Sequence, residues 1–215
     1  MRYLDCALVC EGASDRAFLP GLMSRAVRDL CAAEFETDVQ VEVRPLWADH
    51  QRTDTVLDAA ARDRFDLLLY HHDGAPEQQC ERTLGELRRE WDRARGEPLV
   101  PVVPLRETEA WIIADPAAVA FVLGGERYVT DAGLPPRARE AEHVTDPKVP
   151  LRRAVEAAQR PQRRSRRAKT GTDTQSYFTA FAEHVSIGRL REVPSFDQWW
   201  KDMIKVLEGL GYRYG

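Results

Sequence analysis

The sequence predicts an α/β fold: a mostly parallel four-stranded sheet flanked by helices, followed by a C-terminal helical extension. Three observations predict it. Short apolar runs alternate with segments of helical periodicity from Tyr3 to Leu105, an order that implies parallel strands with helical crossovers. The first and third runs each stop at an acid followed by glycine, Glu11-Gly12 and Asp73-Gly74. Beyond Arg106 strand-like runs cease while helical patterns continue, which places a domain of residues 1–114 before a helical extension of residues 115–215.

The elements follow in order. Tyr3 to Cys10 (YLDCALVC) is a mostly apolar β-prone run, and Gly12 permits a sharp turn after it. From Ser14 the pattern becomes helical, with Phe18, Leu22, Met23, Ala26, Val27 and Leu30 at three- and four-residue steps; Ser14 and Asp15 suit the start of that helix. Val39 to Trp47 alternates apolar and polar residues until Pro45 interrupts it, as expected of a strand near an edge. Thr53 to Asp63 reads as a short helix. Phe65 to Tyr70 (FDLLLY) is nearly all apolar, the signature of a central strand buried on both faces. Glu77 to Arg95 is a clear helix with Cys80, Leu84, Leu87 and Trp91 in one stripe, and Leu99 to Leu105 a fourth strand. Thr108 to Ala120 reads as helix broken at Asp115-Pro116, and Pro150 to Gln159, Tyr177 to His184 and Phe196 to Leu210 as further helices.

With 215 residues, 43% hydrophobic and 31% charged, the chain has the composition of an ordered globular protein. Its longest apolar runs fall far short of the roughly 20 residues that span a bilayer. Met1 to Cys10 carries Asp5 and runs into Glu11, unlike a signal peptide. Cys6, Cys10, Cys31 and Cys80 are scattered without a CxxC pair, so structural zinc is not expected. A cytoplasmic location is expected from both features.

In an open parallel sheet, ligands bind beyond the carboxyl ends of the strands. Glu11 follows the first strand, Asp73 the third, and Glu107 and Glu109 the fourth. Carboxylates so gathered repel one another unless they share a cation, and oxygen donors favour Mg²⁺ or Mn²⁺. Such an ion serves phosphoryl chemistry. His71 and His72 adjoin the site but read first as packed or solvated histidines, at most one of them facing it. Trp111, Trp199 and Trp200 read as core.

The stretch Leu8 to Asp15 (LVCEGASD) resembles the first Toprim motif, an apolar strand ending in Glu-Gly and followed by Ser and an acid, and Leu67 to Gly74 resembles the second. The resemblance covers roughly residues 1 to 110 and points to the fold shared by primases, topoisomerases and the overcoming-lysogenization-defect nucleases. It implies that Glu11 is a general acid/base or metal ligand, that Asp73 is a metal ligand, and that Asp15 is a further ligand as in the nuclease branch. The second motif is usually Asp-x-Asp. Here Ala75 stands in place of the second acid, which leaves Glu77, Glu107 or Glu109 to substitute, or a site that binds metal weakly or not at all. Glu107 to Asp115 with Asp146-Pro147-Lys148 is also similar to a bacterial domain-of-unknown-function family of small stand-alone Toprim-like proteins. That likeness implies an ATPase partner of the ABC or AAA type and a role in phage defence.

The net charge of −4 conceals a dense basic segment, RPQRRSRRAK, whose cations are Arg160, Arg163, Arg164, Arg166, Arg167 and Lys169. Six cations without an acid between them are expected to contact several phosphates of DNA or RNA. Lys148 and Lys169 are candidate transition-state cations. The favoured expectation is a Mg²⁺-dependent nuclease with Glu11, Asp73 and Lys148 as its catalytic residues. A degenerate module that binds nucleic acid or an ATPase without catalysis is the alternative. A small-molecule phosphotransferase or hydrolase ranks last, because P-loop and nucleophile-elbow signals are missing.

Overall fold

The computed structural model describes residues 2–160 and 174–213. Strands β1 (Arg2–Val9), β2 (Val39–Pro45), β3 (Leu67–His71) and β4 (Leu99–Val102) form one sheet. Its order is β2-β1-β3-β4, and every neighbouring pair is parallel. The crossover helices are α1 (Ala13–Phe35), α2 (Thr53–Ala61) and α3 (Glu77–Ala94). As its Pro45 suggests, β2 is an edge, and the all-apolar β3 is central and buried throughout.

The two sheet faces are covered differently, and β1 shows why. Leu4, Cys6 and Leu8 point to the face shared with α1, while Ala7 and Val9 point to the face of α2 and α3, the period-two alternation of a strand buried on both sides. On the second face Leu68, Tyr70, Leu87 and Trp91 make a small core. On the first, α1 supplies Phe18, Leu22, Met23, Ala26, Val27 and Leu30, all without measurable exposure.

The same apolar cluster continues into the C-terminal helices. These are α4 (Glu109–Ile113), α5 (Pro116–Leu123), α6 (Lys148–Gln159), α7 (Thr174–His184), α8 (Ile187–Leu190) and α9 (Pro194–Gly209). Trp111, Phe181, Phe196, Trp199 and Trp200 are buried in it, as expected of the three tryptophans. Asp115, where the helical pattern breaks, is 4% exposed. Its Oδ1 accepts the Ala118 N–H at the start of α5, and its Oδ2 accepts the Ser186 N–H, so this carboxylate joins two helices. The short helix α8 falls in a stretch too brief for periodicity to reveal. Among the described residues no helix is long and apolar enough to cross a membrane.

Strand β4 is shorter than its apolar run: it includes Pro101, paired with Tyr70, and ends at Val102, and Pro104 two residues on has no N–H to extend the ladder. Even so, residues 72–74 continue beside 102–104: His72 N–H donates to the Val102 carbonyl and Gly74 N–H to that of Pro104, at 3.4 and 3.0 Å. The two backbones pass so closely that a Cβ on Gly74 would lie 2.4 Å from the Pro104 oxygen and 2.5 Å from that of Leu105. Close approach, more than turn conformation, is the reason for glycine here. Gly74→Ala should destabilise the protein by about 1–3 kcal/mol through overpacking. Chemical denaturation checks this, and an unchanged midpoint would show that the contact relaxes freely.

Candidate acidic site at the sheet edge

Strand order β2-β1-β3-β4 means that the chain leaves β1 toward one side and, after β2, returns past it to β3. The crevice beyond the carboxyl ends of β1 and β3 is therefore the topological switch point, where open α/β sheets place their ligands. Glu11 and Asp73 each lie two residues past the end of these neighbouring strands. They meet directly: the Asp73 N–H donates to Glu11 Oε2 at 3.3 Å.

Asp15 joins them from the first turn of α1. Its Oδ2 accepts the Gly12 N–H at 2.8 Å, which fixes the carboxylate against the strand-to-helix turn and satisfies a donor at the helix start. Its Oδ1 faces His71 Nε2 at 3.6 Å, and Asp73 Oδ1 stands at the same 3.6 Å from that nitrogen. His71 is fully buried. Its Nδ1 lies 2.9 Å from the Val102 carbonyl, which can only accept, so Nδ1 carries a proton. Nε2 is turned to Asp15, Asp73 and the Thr108 hydroxyl, the last at 3.3 Å.

The electrostatics follow from this packing. Burial opposes a charged imidazole, but Asp15 above all, then Asp73, raise the His71 pKa above its ordinary value. Burial also works against ionised Asp15, yet His71, Thr108 and the Gly12 N–H hold its carboxyl down at about 2. Asp73 comes out on the other side. Burial and the negative charges of Asp15 and Glu11 push it up to about 6, despite the opposing pull of His71 and Lys148. Its Oδ1 is buried without a hydrogen-bond partner.

Past β4, Glu107 and Glu109 diverge as helix α4 begins. Glu107 Oε1 binds Lys148 Nζ at 2.7 Å, and its Oε2 is buried without a hydrogen-bond partner. Glu109, the first residue of α4, is 6% exposed, and burial pushes its carboxyl up to about 7. Lys148 starts α6. Burial lowers its pKa, but the charges of Glu107, Glu109 and Asp73 together raise it.

Glu11, Asp15, Asp73, Glu107, Glu109 and Lys148 thus share one neighbourhood, as the strand-end reading expects of the acids. Among the described residues no three His, Cys, Asp or Glu side chains form a ready metal cage. The basic segment is a different matter: Arg163, Arg164, Arg166, Arg167 and Lys169 lie outside the described residues. Arg160 is exposed at the end of α6, lining a hollow with Arg127 and Arg153.

His71 is a packed histidine, as its sequence context suggests, and it is the one of the pair that faces the site; the sequence carries no sign that His50 and Thr108 lie beside it. His71 shares the α1-facing side of β3 with Leu67 and Leu69, the side on which Asp15 lies, and that alternation was available to read. His72 points the other way, its ring centroid 5.8 Å from that of His50. Both Nε2 atoms are buried without hydrogen-bond partners, and that of His50 is 3.6 Å from Glu11 Oε2. Nothing in the sequence around His50 signals this, because the loop after β2 has no periodicity to place it.

A family model described as a domain of unknown function, DUF4276, matches residues 10–204, and the chain belongs to that family. No curated protein and no solved structure matches it.

The opposite displacements of the two aspartates give opposite pH dependences. Asp15, held below the unfolded value of about 3.9, contributes stability above that value and loses it as pH falls toward about 2. Asp73, held above it, favours folding only while protonated, and that contribution is lost as pH rises through about 6. Asp73→Asn should therefore stabilise the protein by about 1–2 kcal/mol near pH ~8 and by almost nothing near pH ~4. Urea denaturation at both values measures this; an equal difference at both would mean that Asp73 is not strained by its charge.

Proposed function

We propose that this member of the DUF4276 family is a divalent-cation-dependent nuclease of the Toprim type, cleaving DNA or RNA phosphodiesters. The observation that carries the reading is the convergence of Glu11, Asp15 and Asp73 at the switch point, with Asp73 Oδ1 buried and free of hydrogen bonds. Burial above all, with the charges of neighbouring acids, pushes the carboxyls of Asp73 and Glu109 up to about 6 and about 7, and a bound cation would favour their ionised forms. Mg²⁺ keeps several waters and takes only one or two carboxylates from a protein, so a complete cage is not required. Glu11 and Asp73 would hold Mg²⁺ or Mn²⁺, with Asp15, Glu107 and Glu109 beside them. Once bound, such an ion supplies an activated water and polarises the phosphoryl oxygen.

The chain's own groups divide the remaining work. Glu11, a third exposed, is the carboxylate with access to the attacking water's proton. Lys148, half exposed and held by Glu107, presents a cation to the phosphate oxygens. His71 fixes Asp15 and Asp73 from behind and has no exposed surface of its own. The positive segment from Arg160 to Lys169 is assigned to the nucleic-acid backbone, on its charge alone. An ATPase partner of the ABC or AAA type, a role in phage defence and a cytoplasmic location belong to this reading through the family resemblance and composition.

A second reading, a module that binds nucleic acid or an ATPase without catalysis, is favoured by Ala75 standing where a second acid is expected.

Incubation with plasmid, single-stranded DNA and tRNA in Mg²⁺ or Mn²⁺ decides between them. Cleavage that disappears with EDTA and falls at least about 100-fold in Glu11→Gln and Asp73→Asn supports the nuclease. Equal cleavage by wild type and both variants would dismiss the assignment, and no cleavage by any would leave the binding module.

A further inference from the structure

Four of the five tryptophans are buried: Trp91, Trp111, Trp199 and Trp200 are no more than 3% exposed. Trp47 is 75% exposed. It lies two residues past the end of β2; since Leu8 of β1 pairs with both Pro45 and Leu69, Trp47 is level with Cys10 and His71, one residue short of Glu11 and two short of Asp73. A large indole left in water at one place, the carboxyl edge of the sheet, has no part in the core.

Its surroundings tie it to the acidic site. Leu46 N–H donates to the Leu8 carbonyl at 2.8 Å, pinning the chain just before Trp47 to the end of β1. Three residues later, His50 Nε2 reaches within 3.6 Å of Glu11, and the Tyr70 hydroxyl donates to the His50 carbonyl. The loop bearing Trp47 is thus held at both ends against the site. From the other side, Arg16, next to Asp15 in α1, places its guanidinium 5.1 Å from the centre of the Trp47 ring. That contact places a cation over one face of the indole at the rim of a cluster of carboxylates and leaves the other face open.

An exposed indole steadied by a guanidinium is the arrangement on which unpaired bases stack, the arginine serving the adjoining phosphate. We infer that Trp47, braced by Arg16, is a stacking platform for an unpaired nucleobase beside the strand-end carboxylates, and that the substrate is single-stranded or locally unpaired nucleic acid. The inference rests on the nuclease reading and adds its substrate class. In a duplex the base faces are already occupied by their neighbours, so the platform discriminates against paired substrate.

The experiment is performed in EDTA, where binding is read without cleavage. A labelled single-stranded oligonucleotide, an abasic strand of equal length and a duplex are titrated with wild type, Trp47→Ala and Trp47→Phe, following anisotropy and tryptophan emission. The single strand should bind wild type best and quench its emission. It should bind Trp47→Ala about tenfold more weakly, bind Trp47→Phe nearly as wild type, and leave the emission of both variants unquenched. The abasic strand should bind wild type and Trp47→Ala alike. Thermal midpoints should coincide, since Trp47 is outside the core. The platform is overturned if Trp47→Ala binds the single strand as wild type does, if the abasic strand binds wild type as tightly as the base-bearing one, or if no strand binds. Failure of the two readings is separable. Cleavage that depends on Glu11 but not on Trp47 removes the platform alone, and Trp47-dependent binding without cleavage removes the nuclease alone.

Discussion

Several carboxylates crowded against one buried imidazole is the constraint on which the rest of this molecule depends. Asp15 and Asp73 stand at equal distances of 3.6 Å from His71 Nε2, and Glu11 accepts the Asp73 N–H from the adjoining strand end. One imidazole cannot hold all of them down. Asp15, which also takes a backbone N–H, is held at about 2, while burial above all, with the charges of Asp15 and Glu11, leaves Asp73 at about 6. Burying like charges in this way costs stability, and proteins retain such an arrangement where function requires it. On the proposed reading the unoffset charge is what receives a divalent cation.

The fold makes that crowding unavoidable. Parallel strands β1 and β3 end side by side because the chain reverses its direction of winding between them, and α1 starts only three residues beyond Glu11's strand-end neighbour Cys10. Apolar packing on both faces of the sheet prevents the strand ends from moving apart. Gly74 lets the segment after Asp73 run against Pro104 and Leu105, which keeps the third acid-bearing strand end next to the fourth. Lys148 then reaches across from α6 to bind Glu107. Helices beyond residue 115 therefore complete the surroundings of a site whose acids come mostly from the sheet.

Much of this was legible in the sequence, for identifiable reasons. The apolar run of β3 and the proline in β2 foretold a central strand and an edge strand, because burial and ladder hydrogen bonds act on residue type directly. Glu11 and Asp73 were legible because parallel strands place their ends on one side. Strand boundaries were less so: Leu99 to Leu105 reads as one run, but β4 ends at Val102, two residues before Pro104. The role of His71 needed a decision about which face it occupies, and His50 and Trp47 needed the path of a loop. Such positions are fixed by tertiary contacts, here Leu46 to Leu8 and Tyr70 to His50, and local pattern carries no trace of them.

Diffraction from crystals soaked in Mn²⁺, collected to reveal the anomalous signal of the metal, tests the central claim most directly. The account predicts a manganese peak at the switch point, bound by carboxylate oxygens of Glu11 and Asp73 at about 2.0–2.6 Å, with waters completing its shell. A peak held by other residues, or no peak there at saturating Mn²⁺ with both side chains ordered, would contradict it.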